Sequence, residues 1–96
     1  MAPRRAVTTG RLRTDDPSGT IARTTRHFAH KVDVERDGAV ERVRIPPGTF
    51  ELEPASGEVG VRLFPVDDAS EQRLREVVAS HLERFDRGGG VVEWND

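Results

Sequence analysis

Residues Asp67 to Asp86 read DDASEQRLREVVASHLERFD, and the remainder of the chain is organised around them. Leu74, Val78, His81 and Phe85 recur at spacings of four, three and four, with Val77 and Leu82 beside them. At about 100° per residue these positions share one face of a helix. Arg73, Arg75, Glu76, Glu83, Arg84 and Arg87 take the opposite side or the edges. Asp68 suits the N-cap, Glu71 completes a capping box, and Gly88-Gly89-Gly90 stops the helix. A helix from about Asp68 to Arg87 is therefore expected, with residues 88–90 a flexible glycine joint. His81, in the middle of the apolar face, points at whatever the helix covers.

Upstream of this helix the period changes from helical to two. Val59, Val61 and Leu63 alternate with Gly60, Arg62 and Phe64; Phe50 and Leu52 alternate with Glu51 and Glu53. Val43 and Ile45, then Val32 and Val34, mark two further strands, and Asp37-Gly38 between those two is a hairpin signal. Pro46-Pro47-Gly48 and Pro54 to Gly57 are turns. Each strand has one apolar and one charged face, as in an antiparallel sheet covered on one side. Further upstream, Asp15 or Asp16 caps a first helix with Pro17 in its first turn, running to about Lys31. Its inner stripe, Ile21, Thr24, Thr25 and Phe28, is weak, so this helix depends on its packing partners. Ala6 to Thr14 reads as the first strand, and Val91 to Trp94 as a short closing one. The order β-α-β-β-β-β-α plus a terminal strand gives an α+β two-layer sandwich, an antiparallel sheet with both helices on one face.

The chain has 96 residues, enough for one domain (1–96, with residues 1–5 expected to be disordered). With 34% hydrophobic and 33% charged residues the core must be one thin layer. There is no cysteine, hence no disulfide, thiolate metal site or cysteine nucleophile, which fits a reducing cytoplasm. The start, MAPRRAVTTG, lacks the apolar stretch of a secretory signal, and no apolar run is long enough to cross a bilayer. Net charge is −2, but residues 1–31 carry seven basic against two acidic residues. That basic third can meet an anionic ligand or merely complement the acidic remainder.

Four segments resemble a known family: His27-Phe28-Ala29-His30-Lys31-Val32, Pro46-Pro47-Gly48-Thr49 with Phe50-Glu51-Leu52-Glu53, Val77 to Phe85 (VVASHLERF), and Val92-Glu93-Trp94. Together they are similar to the uncharacterised bacterial domain-of-unknown-function family numbered 2218, from about Thr8 onward. The resemblance implies a small bacterial domain of TATA-binding-protein-like topology with no established activity. It also implies an association with iron–siderophore metabolism, since similar domains occur attached to ferric-siderophore-reductase-like proteins. The chain departs from the family's pattern at Thr20, Thr24 and Thr25, where larger apolar residues are common, and at the glycine run after Phe85.

Among the residues that can carry chemistry, His27 and His30 lie near the end of the first helix and His81 on the second. One reading makes the three imidazoles a metal-binding or catalytic set. The preferred one bonds His81 to a backbone carbonyl with His27 as its packing neighbour and His30 at the helix end, where a cation is favoured. Ser80 precedes His81 directly, so the two side chains are expected to diverge rather than form a nucleophile–base pair. The glycine run has no strand before it and no Lys-Ser/Thr after it, so it is not a phosphate loop. No aromatic-and-basic strand motif speaks for nucleic acid. The expected function is a non-catalytic accessory or binding module, without metal or cofactor. Its candidate ligand-binding residues are His27, His30, His81, Arg84 and Arg26, and Arg23 and Lys31 add positive charge at the two helix ends. The expected partner is a ferric-siderophore reductase or a small anionic ligand.

Overall fold

A computed structural model describes residues 8–95; the disorder expected for residues 1–5 falls outside them. Strand β1 (Thr8–Arg13) leads into helix α1 (Pro17–Ala29). Four strands follow, β2 (Val34–Asp37), β3 (Val40–Ile45), β4 (Gly48–Ala55) and β5 (Glu58–Pro65). A 3₁₀ turn (Asp68–Ser70), helix α2 (Glu71–Phe85) and strand β6 (Val92–Asn95) complete the chain. The six strands form one antiparallel sheet in the order β2-β3-β4-β5-β1-β6. The closing strand thus pairs with β1, which lies between the chain's last two strands.

Three two-residue loops set the registers of β2 to β5, each flanked by a paired couple: Asp37 with Val40, Ile45 with Gly48, and Ala55 with Glu58. The first loop is Gly38-Ala39, one residue later than Asp37-Gly38, because Asp37 is still paired. Gly38 takes φ 61°, a conformation that strains any L side chain. Opposite Trp94 stands Gly10, where a Cβ would come within 2.6 Å of the indole; the glycine leaves room for the ring to lie on the sheet. The Arg75 guanidinium covers the indole from above, 5.6 Å from a ring centroid.

Both helices pack on one face of the sheet, over a core that includes Leu12, Val43, Phe50, Leu52, Val61 and Leu63. α2 contributes Leu74, Val78 and Leu82, a strict run of fours, whereas the sequence pattern had put His81 and Phe85 on the same stripe. The reason is the neighbouring helix. Residues a step off the i, i+4 ridge turn towards α1 instead of the sheet, and His81 and Phe85 are only half-buried there.

The helix ends also differ from expectation. Asp67, not Asp68, caps the 3₁₀ turn, its carboxylate accepting the Ser70 N–H at 2.8 Å, and α2 follows from Ser70 without a side-chain capping bond. Glu71 pairs with Arg75 instead of completing a capping box. At the other end Asp86 is already extended (ψ 118°), so α2 stops two residues before the glycine run. α1 is capped by Asp16, whose carboxylate accepts from Gly19 N at 3.1 Å, and ends at Ala29 with His30 as C-cap. Two of its buried threonines, Thr24 and Thr25, find a hydroxyl acceptor four residues back, and the third, Thr20, donates to Asp86. Thr24 bonds to Thr20 O (2.8 Å) and Thr25 to Ile21 O (3.0 Å).

The other sheet face is an ionic lattice. Directly opposed residues on four adjacent strands alternate in sign: Glu35, Arg42, Glu51 and Arg62. Glu51 receives Arg42 Nε at 2.8 Å and Arg62 Nε at 2.9 Å, and Arg62 also reaches Glu53 at 3.1 Å. A lean composition suffices because this face needs no cover.

Candidate functional site

Contacts between the helices run from Thr20–Asp86 through Arg23–Phe85 to His27–His81, so α1 and α2 lie side by side and antiparallel. Their C-termini are therefore at opposite ends. The expected gathering of charge at two helix ends becomes instead a stripe along the flank of the pair. Arg23, Arg26, His27 and His30 follow at helical spacing on α1, and Arg84 and Phe85 face them from α2. They line a shallow groove of about 310 Å³. Lys31, expected to join them, is not part of its lining.

The floor is aromatic. His27 touches Phe85 (ring centroids 5.3 Å apart), Phe28 (5.5 Å) and His81 (5.0 Å), and Phe28 lies 4.7 Å from His81. Phe28 in turn packs edge-on against the core ring of Phe50 at 5.3 Å, which anchors the cluster to the sheet. His81 Nδ1 lies 2.6 Å from Val77 O. A carbonyl only accepts, so Nδ1 carries the proton of this bond. The Ser80 hydroxyl, expected to diverge from His81, lies 3.5 Å from the same Nδ1 while bonding to the same Val77 carbonyl at 3.1 Å. A nitrogen that already carries its proton cannot serve as base for that hydroxyl.

The cations of the groove differ in what they are committed to. Arg23 donates from Nε to Phe85 O at 2.9 Å, capping the end of α2, and pairs with Asp16 at 3.4 Å. Arg84 lies 5.2 Å from the centre of the Phe85 ring. Among the described residues Arg26, His30 and Arg84 have no acidic partner. The His27 imidazole is held below its ordinary value, first by desolvation against the rings and then by the charges of His81, Arg84, His30 and Lys31. Of the five residues singled out from the sequence, Arg26, His27, His30 and Arg84 line the groove and His81 supports it from behind. His27 and His81 meet; His30 makes no ring contact with either, and among the described residues no three His, Asp or Glu side chains converge as a metal-ligand group.

A second cluster lies behind the groove. Asp86 is buried and accepts from Thr14 Oγ1 (2.6 Å), Thr20 Oγ1 (3.2 Å) and Gly90 N (2.6 Å). Burial alone would push its carboxyl up, but the bonds from Thr14, Gly90, Thr20 and Gly88 outweigh it and hold it below the ordinary carboxylate range. Asp86 thereby joins the end of α2, the glycine run and the β1–α1 junction. A Cβ at Gly90 would come within 2.7 Å of this carboxylate and 2.8 Å of Arg13 O. The only local signal for such a hub was an aspartate beside three glycines; its hydroxyl donors lie far away in the chain.

In fold the chain is similar to a protein of Pseudomonas aeruginosa, PA4090, solved by NMR, with a TM-score of 0.64 and 23% sequence identity over 92% of this chain and 93% of that one. None of the curated proteins compared with the chain matches it. With its six-stranded sheet, paired helices and closing strand inside the matched region but for Thr8 at the start of β1, the chain belongs over residues 9–95 to the DUF2218 family, described as an uncharacterised protein conserved in bacteria.

Proposed function

We propose that this bacterial domain is a non-catalytic binding module that holds a small anionic ligand in the interhelical groove. Arg26, His30 and Arg84 supply the counter-charge, and His27 and Phe85 form the floor. The observation that carries this reading is the contrast in pairing: the open sheet face neutralises its arginines with glutamates, whereas these three cations stand together without an acid. A guanidinium held against an aromatic ring keeps its donors turned outward for a carboxylate or phosphate.

The family resemblance directs the choice of ligand and partner to iron–siderophore metabolism in the cytoplasm, with a ferric siderophore of net negative charge as ligand and a ferric-siderophore reductase as partner. A fused module works at an effective concentration of roughly millimolar, so a weak, salt-sensitive contact is enough. The test is a calorimetric titration of the untagged domain with anionic ferric siderophores and with a reductase, at low and moderate salt. Binding that weakens with salt and is lost in Arg26→Glu/Arg84→Glu supports the reading. No binding at about millimolar concentrations, or binding indifferent to that double reversal, removes it. The alternative, a metal-binding protein or enzyme using His27, His30 and His81, draws on the contact between His27 and His81. Stoichiometric, submicromolar Zn²⁺ or Co²⁺ binding lost in all three alanine variants, together with silence towards anions, would put it first.

A further inference from the structure

A second cleft, of about 550 Å³, shares no lining residue with the cationic groove. Its walls are Phe28 at the end of α1, Ile45 and the Pro46-Pro47 turn, and Val77 of α2, with Ser70 and Arg73 at the start of α2. The walls are built before any ligand arrives. Phe28 is held between Phe50 (5.3 Å) and His81 (4.7 Å). The turn has two fixed φ angles and no N–H of its own at either proline, and Val66 N donates to Pro47 O at 3.0 Å. The size falls within the range of small-molecule sites, roughly 300–1,000 Å³.

Arg73 gives the cleft its chemical bias. It is exposed and makes no ion pair among the described residues, and three of the acids near it in sequence, Asp68 excepted, are bonded to other groups. Asp67 accepts from Ser70 N, Glu71 pairs with Arg75, and Glu76, three residues along the helix, accepts from Gln72 at 3.3 Å. One guanidinium without an ion pair, beside a largely apolar cleft whose other polar lining residue is Ser70, matches a ligand with an apolar body and a single negative charge. We propose that this cleft is a binding site for small apolar carboxylic acids, aryl or branched aliphatic, seated against Phe28, Pro47 and Val77 with the carboxylate on Arg73. It is separate from the cationic groove and stands whether or not that groove binds anions.

The probe is 3-phenylpropionate, with its neutral isostere 3-phenylpropanol, titrated into the ¹⁵N-labelled domain and followed by amide shifts. The acid should shift Phe28, Ile45, Gly48 and the residues from Ser70 to Val77 to saturation. Arg73→Gln and the neutral alcohol should each weaken binding by about ten-fold or more, the loss of one charge-assisted contact. Val77→Glu should abolish it, whereas Arg84→Glu, in the other groove, should leave it unchanged. No shifts at about 10 mM acid would overturn the proposal. So would equal binding of acid and alcohol, or indifference to Arg73→Gln; these would make the cleft a general apolar surface for a protein partner instead.

Discussion

The open face of the sheet and the flank of the helix pair hold charged residues in opposite ways. On the sheet, strand pairing places Arg42 and Arg62 on either side of Glu51, and every rung of that ladder cancels its neighbour. On the helices, Arg26, His30 and Arg84 collect around a groove with no acid among them. Behind the groove Asp86 is the reverse case, a buried anion satisfied by hydroxyl and amide donors, with no salt bridge. Charges in the lattice and at Asp86 are satisfied within the fold, whereas Arg26, His30 and Arg84 have no acidic partner among the described residues. Charge count alone would not have separated these three settings.

The comparison is tested most severely at Asp86. Asp86→Ala leaves the donors of Thr14, Thr20 and Gly90 without an acceptor and should lower stability by about 2–4 kcal/mol, read as a shift in the urea midpoint. Because the folded carboxyl is held below its ordinary value of 3.8, its contribution is present above that pH and disappears as pH falls through the lower folded value. The wild-type domain should therefore lose stability on acidification below pH 3.8 by more than the alanine variant does. Parallel acid curves for the two would show that Asp86 is not the hub.

A smaller effect is expected within the lattice. Burial alone would push the Glu51 carboxyl up, but bonds from Arg62 and Arg42 bring it below its ordinary value. Glu51→Gln should cost about 1 kcal/mol in thermal or urea denaturation, since both arginines are one-third exposed or less and water takes over part of their pairing. A loss equal to that at Asp86 would erase the distinction drawn between a solvated lattice and a buried carboxylate.

Reversing the groove should leave the fold nearly untouched. Arg26→Glu and Arg84→Glu are expected to move stability by within about 0.5 kcal/mol. A large loss in either variant would mean that these cations hold the helices together and are not free for a ligand. The smallest effect is at His27. Its pKa is depressed below 6.5, so the unfolded chain takes up a proton before the folded one does. Stability should thus decline slightly as pH falls below 6.5 towards the folded value, and His27→Gln should flatten that slope. In an NMR titration the His27 resonances should move at a pH lower than those of a free imidazole, and an anion in the groove should raise that midpoint. An unshifted His27 would sever the link between the ring cluster and the cations.

Several of these residues were visible in the sequence as candidates, though not in their final roles. The HFAHK and HLERF segments put His27, His30, His81 and Arg84 forward together, with Arg26 just before the first; all but His81 line one groove. Mixed steps of three and four made His81 and Phe85 look like core, because a one-dimensional pattern does not show which neighbour lies off the ridge. Asp68 looked like the cap because the 3₁₀ turn that lets Asp67 take that role lies outside a purely α-helical pattern.

The sequence by itself determined the elements, their order and the two-faced character of the sheet. Alternation along β3 to β5, two-residue turns and a helical period are local properties, written within a few residues of where they act. Only the tertiary structure decided which charges would be cancelled and which left over. Thr14 and Asp86 are 72 residues apart, and Thr20 and Asp86 are 66 apart. The groove exists because β1 and β5 are neighbours, so the helices following them lie antiparallel in one layer. Partners at such separations are set by chain closure and packing of the whole sheet, and no spacing rule over a helix turn or a hairpin encodes them.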